Sequence, residues 1–275
     1  MKEVKSPTSV RPFIFESYGV NVKIDGNLQE TVDASEALAR RCLLNCLRPV
    51  NKENIDQTFY VRHNKSGYYI LHHNEKKISR GRSRKKFFKL FDSVIRAVVG
   101  ENSPERVFLH AGVVGWNGTA IVIPGDSFRG KSTLVAELVR QGAEYYSDDF
   151  AIFDENGFVH PFPRNLAMRS DDGRYRPYEL TVESLGGVQG SGSLPVGLVL
   201  FTQYEPGKRW RPQISTAGNG VLQMIPFALT FGNRPEFSLR VLNNVASRAI
   251  IASSPRGAAE EFAQKILDYV DNNAI

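Results

Sequence analysis

Cysteine is nearly missing from this 275-residue chain, which has two, alongside two tryptophans and three methionines. So few thiols exclude a disulfide framework. Cys42 and Cys46 stand four apart in the apolar run ALARRCLLNCL, a spacing that places both on one helix face as buried, reduced side chains. Histidine is scarce as well, and His63, His72 and His73 join the cysteines in no metal-ligand spacing. No apolar stretch approaches a membrane span, and the opening MKEVKSPTSVRPFIF has no apolar signal core. The expected compartment is therefore the cytoplasm, with no membrane partner. No internal repeat is visible. A hydrophobic content of 41% is ordinary for a chain that buries a packed core.

Acidic residues are absent from one segment in particular. Lys76–Lys89 (KKISRGRSRKKFFK) holds eight Lys/Arg and no Asp or Glu, against a net charge of +6 for the whole chain. The rest of the chain is thus slightly acidic, and nucleic acid is not the expected partner. The strip reads either as a solvated loop and helix start or as a docking strip for an acidic peptide or RNA. Phe87, Phe88 and Phe91 share a spacing with Val94, Ile95, Val98 and Val99 that fits the apolar face of a helix.

Hydrophobic periodicity divides the chain in two. Residues 1–102 read as a small α+β domain. Its elements are strands at Phe13–Tyr18 and Val20–Ile24, a helix over Ala34–Leu47, and a hairpin of Thr58–His63 with Gly67–His72. The basic run and a helix to Val99 follow, and the turn signal Gly100–Pro104 marks the boundary. Residues 103–275 read as a second, larger domain, of α/β class. Strands Arg106–Gly115 and Thr119–Pro124 meet across an Asn117-Gly118 turn, a strong hairpin signal. A helix over Lys131–Gln141, a stop at Gly142 and a strand over Glu144–Ser147 come next. Further strands are expected at Ala151–Phe153, Val196–Gln203 and Ser238–Leu242, with a closing helix over Pro255–Val270. Gly186–Gly192 reads as a flexible loop.

The segment Gly125–Ser132, G-D-S-F-R-G-K-S, fits G-x-x-x-x-G-K-[ST] at every fixed position. Glycines let successive N–H groups turn toward phosphate oxygens, and the following helix presents its positive end to the same anion. The strand TAIVIP precedes the loop and an amphipathic helix follows it, the arrangement such a loop needs. Gly125, Asp126, Ser127, Phe128, Arg129, Gly130, Lys131, Ser132 and Thr133 are therefore the candidate nucleotide-binding residues, for ATP. Lys131 is suited to the β/γ-phosphates and the Ser132 hydroxyl to Mg²⁺.

Two features converge on the loop. Asp148-Asp149 directly follows the strand after the loop's helix. If that strand runs parallel to Thr119–Pro124, both strand ends share a sheet edge, where ligands of α/β sheets bind. One carboxylate would suit Mg²⁺ and the other a proton from an attacking hydroxyl. Asp171-Asp172, by contrast, reads as a solvated turn. The second feature is His110: with Trp116 facing Thr119, six steps outward along both strands set His110 opposite Gly125. Arg129, Arg164, Arg169 and Arg248 are candidate cations for a transition state.

The run LHAGVVGWNGTAIVIPGDSFRGKSTLVAELVRQGAEYYSDD resembles the catalytic core of the HPr kinase/phosphorylase family and its stand-alone relatives. The order of parts is similar: His110 before a hairpin, a phosphate loop with Ser127 at its third position, then a helix and strand leading to paired aspartates. The resemblance implies a core related to ATP-type phosphoenolpyruvate carboxykinases, with a mixed β-sheet. It also implies phosphorylation of a serine hydroxyl, with Asp148 as base, Asp149 or Ser132 on Mg²⁺ and His110 beside the phosphate. By overall layout the nearer analogy is to relatives that modify precursor peptides of natural products. The expected function is accordingly an ATP- and Mg²⁺-dependent kinase acting on a peptide or protein hydroxyl. A small-metabolite kinase for a free hydroxy-amino acid and a non-catalytic nucleotide-sensing regulator are the alternatives, and homo-oligomerisation is left open.

Overall fold

The computed structural model describes residues 10–44, 46–48, 50, 54–126, 130–169 and 177–273. The chain forms two compact units, Met1–Pro104 and Glu105–Ile275. The turn-like Gly100–Asn102 is still helical, and the chain leaves the helix only at Ser103.

The first unit comprises β1 (Phe13–Ser17), β2 (Val20–Gly26), α1 (Gln29–Cys42), β3 (Gln57–His63), β4 (Tyr69–His73), β5 (Lys76–Gly81) and α2 (Arg84–Asn102). Its sheet runs in chain order, antiparallel except for the β2–β3 pair, which is parallel and connected through α1. Alternation in β2 and β3 sends Val22, Ile24, Phe59 and Val61 into one core with Leu38, Phe87, Phe91 and Ile95 of the helices. Three sequence expectations are corrected here. The first helix starts at Gln29 rather than Ala34, because its buried stripe already begins at Thr31 and Val32. It ends at Cys42, so Cys46 is exposed beyond it and the two thiols do not share a helix face. The basic run is neither loop nor helix start alone: Lys76–Gly81 is an exposed edge strand, and α2 begins at Arg84 behind the capping hydroxyl of Ser83.

The second unit is a mixed sheet between two helical layers, an α/β arrangement. Its strands are β6 (Val107–Trp116), β7 (Thr119–Pro124), β8 (Glu144–Ser147), β9 (Phe150–Phe153), β10 (Val159–His160), β13 (Val196–Phe201), β14 (Gln213–Ser215) and β15 (Ile250–Ser253). A separate pair, β11 (Leu166–Arg169) with β12 (Pro177–Leu180), lies outside that sheet. The order is β10-β9-β6-β7-β13-β15-β14, with β8 also on β6. β7, β13 and β15 are parallel to one another, and β6 is antiparallel to β7. The helices are α3 (Lys131–Arg140), α4 (Ala217–Met224), α5 (Pro235–Ala246) and α6 (Ala259–Asn272). Ile121, Ile123 and Leu198 face α3 and α6, whereas Val122, Val199 and Ile251 face α4 and α5.

Here too the structure departs from expectation. Ser238–Leu242 is not a strand but the middle of α5. Pro235 opens that helix, and Ser238, Val241, Leu242 and Val245 form its buried stripe at helical spacing. The last helix begins at Ala259, leaving Pro255–Gly257 as a connecting segment. Gly186–Gly192 is tied to β8 rather than loose: Tyr145 N–H donates to Val188 O and Gly190 N–H to Tyr145 O. Gly190 rests on the buried Tyr146 ring, where a Cβ would stand 1.9 Å from Cε2.

Candidate active site

The two-residue turn at Asn117-Gly118 holds β6 and β7 in one register, from Trp116↔Thr119 to Ala111↔Pro124. One step further, Gly125 N–H donates to His110 O at 3.3 Å, so the first residue of the glycine loop lies opposite this histidine. On its other side β6 meets β8 and β9, both antiparallel to it, and hence running parallel to β7. Val113 faces Ser147 and His110 faces Phe150, three residues on along each strand, so β8 and β9 share one register. Asp148-Asp149 is therefore a kink inside a continuing strand rather than the end of one. Its backbone stays paired, with Ala111 N–H donating to Asp149 O at 3.2 Å.

These two registers bring His110, Lys131, Asp148 and Asp149 to one sheet edge. The Lys131 ammonium donates to Gly125 O at 2.6 Å and Asp126 O at 2.7 Å, and stands 3.3 Å from His110 Nε2. His110 Nδ1 lies 2.9 Å from Asp149 O. Because a carbonyl only accepts, Nδ1 carries the proton and Nε2 accepts from Lys131, which makes the ring neutral. Burial, and then the Lys131 charge, hold His110 below the usual histidine value, against an opposing pull from Asp149. Lys131 itself is brought down to about 8 by burial, with Asp149, Asp126 and Asp148 opposing.

Asp148 is 8% exposed. One oxygen accepts from Ala167 N–H at 2.9 Å, and the other lies 3.2 Å from Tyr145 Oη. The Tyr145 hydroxyl is also 2.6 Å from Arg164 O, its shorter contact. The Ser132 hydroxyl hydrogen-bonds the same carboxylate, and burial raises Asp148 above the usual carboxylate range despite these donors. Asp149 is the more open of the pair: Arg164 Nη1 is 3.5 Å from one oxygen and His110 Nδ1 3.9 Å from the other.

The remaining candidates separate clearly. Gly130 adopts φ +79° as the residue before α3, a conformation open to glycine, and Thr133 is exposed in the first turn. Ser127, Phe128, Arg129 and the Asp171-Asp172 pair lie outside the described residues. Arg164 joins the cluster, but Arg169 is exposed on β11 and Arg248 donates to Asn156 O away from it. Among the described residues, no three His, Cys, Asp or Glu side chains are grouped to hold a metal. One arginine was not anticipated. Arg256, 2% exposed, donates through Nη2 to Gly130 O at 2.7 Å and through Nη1 to Gly257 O at 3.1 Å. Reading Pro255 as a helix start hid it, and no local pattern marks a contact made across 126 residues.

Among the described residues, no helix is long and apolar enough to cross a membrane. No protein-family model matches the chain, and comparison with curated proteins gives no match. Among solved structures, an HPr(Ser) kinase/phosphatase from Coxiella burnetii is a distant likeness. The two are 14% identical with a TM-score of 0.37, over 60% of this chain and 89% of that one. At that TM-score the likeness carries no argument about what this chain does.

Proposed function

We propose that the chain is an ATP- and Mg²⁺-dependent kinase that transfers the γ-phosphoryl group to a serine-type hydroxyl of a peptide or protein. The observation that carries this reading is the convergence of the Lys131 ammonium, His110 and two carboxylates at the edge where the glycine loop leaves β7. A loop with a lysine can bind phosphate alone; two carboxylates beside it, one buried and one open, serve a transfer reaction.

In this reading the acceptor hydroxyl gives its proton to Asp148 as its oxygen forms a bond to the γ-phosphorus. The bond from that phosphorus to the β,γ-bridging oxygen breaks, and the electron pair leaves with ADP. Lys131 exchanges the Gly125 and Asp126 carbonyls for phosphate oxygens. Arg164 adds a second positive charge beside Asp149. His110 keeps Lys131 oriented from the side of Asp149. A hydroxyl with a carboxylate nearby is a fitting donor set for Mg²⁺, which binds proteins through few ligands plus phosphate oxygens. Ser132 and Asp149 would hold it, and it would neutralise phosphate charge there. The Ser132–Asp148 hydrogen bond favours a second assignment, with Asp148 on the metal and Asp149 facing the acceptor.

The test is incubation of the purified protein with γ-labelled ATP, Mg²⁺ and a size-fractionated extract of its host, with Asp148→Asn and Asp149→Asn as controls. Label should move to a peptide or protein with the wild type only. Label in a small-molecule fraction would replace the proposed acceptor class. ATP bound without any transfer or hydrolysis would overturn the kinase reading. Of the two variants, the one that weakens Mg²⁺ dependence identifies the metal carboxylate.

A further inference from the structure

We propose that Tyr204 is a stacking platform for the base of the nucleotide, braced against the glycine loop by Arg256. The inference rests on the ATP-binding reading above and adds to it the place where the base of the nucleotide is held.

β13 and β15 run parallel to β7, so the segments that leave them emerge at the same edge as the loop. The two segments are laced together. Arg256 N–H donates to Gln203 O at 3.0 Å, and Glu205 N–H donates to Arg256 O at 2.8 Å. This lacing holds Tyr204 beside Arg256, whose guanidinium carbon is 5.6 Å from the ring centroid. Tyr204 is nonetheless 50% exposed. It also borders the loop itself: a Cβ built on Gly130 would stand 3.8 Å from Tyr204 Cβ and 2.5 Å from Arg256 Nη2.

Arg256 has features that its packing does not explain. It is buried, its Nε has no hydrogen-bond partner among the described residues, and its two Nη groups donate to backbone carbonyls. A desolvated guanidinium facing only carbonyls and a ring is costly unless an anion shares its surroundings. The loop it touches is the part of the chain suited to an anion.

The placement of the two flanks gives the ligand a direction. His110, Asp148 and Asp149 lie on the β6–β8–β9 side of β7, while Tyr204 and Arg256 lie on its β13–β15 side. A triphosphate whose reacting end lies with the carboxylates therefore crosses the loop with its nucleoside toward Tyr204. Stacking tolerates any base, because every base offers a π-face.

The experiment is equilibrium titration of wild type, Tyr204→Ala and Tyr204→Phe with Mg²⁺-ATP and, separately, Mg²⁺-tripolyphosphate. Base–aromatic stacking predicts that Tyr204→Ala weakens ATP binding about 5- to 150-fold and leaves tripolyphosphate unchanged, with Tyr204→Phe close to wild type. An equal loss for both ligands, or no loss for either, would overturn the inference while leaving the phosphate loop standing. If the wild type binds neither ligand, the phosphate-loop reading falls and this inference with it. Tyr204 is a half-exposed side chain, so its removal leaves the fold intact, and unchanged tripolyphosphate binding reports that directly.

Discussion

Nucleotide affinity should fall as pH rises from 7 to 9, because the charge that meets the phosphates is held close to its titration point. Burial brings Lys131 to about 8 in the free protein. A phosphate chain in contact with the ammonium favours the charged form and returns the group toward the ordinary lysine value of about 10.4. The sign follows: the competent, protonated form dominates below 8 and is depleted above it. At pH 7 about nine molecules in ten carry the proton, and at pH 9 about one in ten. Binding to the charged form alone then weakens about tenfold over that span and takes up nearly one proton at pH 9. His110 does not confuse the measurement, since burial and Lys131 keep it below its usual value and hence neutral throughout. Calorimetric titration with ATP in buffers of different ionisation enthalpy would read both the affinity and the proton uptake. Lys131→Arg, whose guanidinium does not titrate here, should bind more weakly yet show no slope. A flat wild-type profile, or the same slope in the arginine variant, would refute the assignment of Lys131 to the phosphates.

Three further outcomes are expected. Gly190→Ala should cost about 1–3 kcal/mol in denaturant unfolding, since its Cβ would meet the buried Tyr146 ring and the segment is paired on both sides. Leu242→Ala should cost about 2–5 kcal/mol because that residue is fully buried in the core beneath α5, whereas Leu222→Ala, 66% exposed, should change little. Replacing Arg80, Arg82, Lys85 and Lys86 by glutamine should raise KM for an acidic acceptor and spare ATP affinity; unchanged kinetics would end the docking reading of that strip.

The part of the site that could be read in the sequence is the part governed by short-range rules. An Asn-Gly turn of two residues leaves one register available, and counting outward from it reaches His110 and Gly125, which are joined by a backbone hydrogen bond. The contribution of β8 and β9 was half legible. The aspartate pair stood out by its position, but its place inside a continuing strand depends on pairing with β6, more than thirty residues away. The short apolar run at Ser238–Leu242 suits either period, and only the layer beneath the sheet decides for a helix. Arg256 and Tyr204 were beyond reach for a related reason. Their neighbours are assembled by the parallel β7–β13–β15 arrangement, which no local pattern specifies.

The shared register of β6 with β7 on one flank and with β8–β9 on the other gives the molecule an unequal tolerance to length change. One residue added between Trp116 and Thr119 would carry Gly125 away from His110 and turn alternate side chains of β7 to the wrong helical layer. The same addition between Ser147 and Phe150 would part the aspartates from Lys131. An addition at Asn156, in the turn between β9 and β10, disturbs the contacts of Arg248 and Asn244 with that turn but leaves both registers of β6 unchanged. Descendants of this chain should therefore vary in length at that outer turn and keep the count fixed from His110 to Phe150.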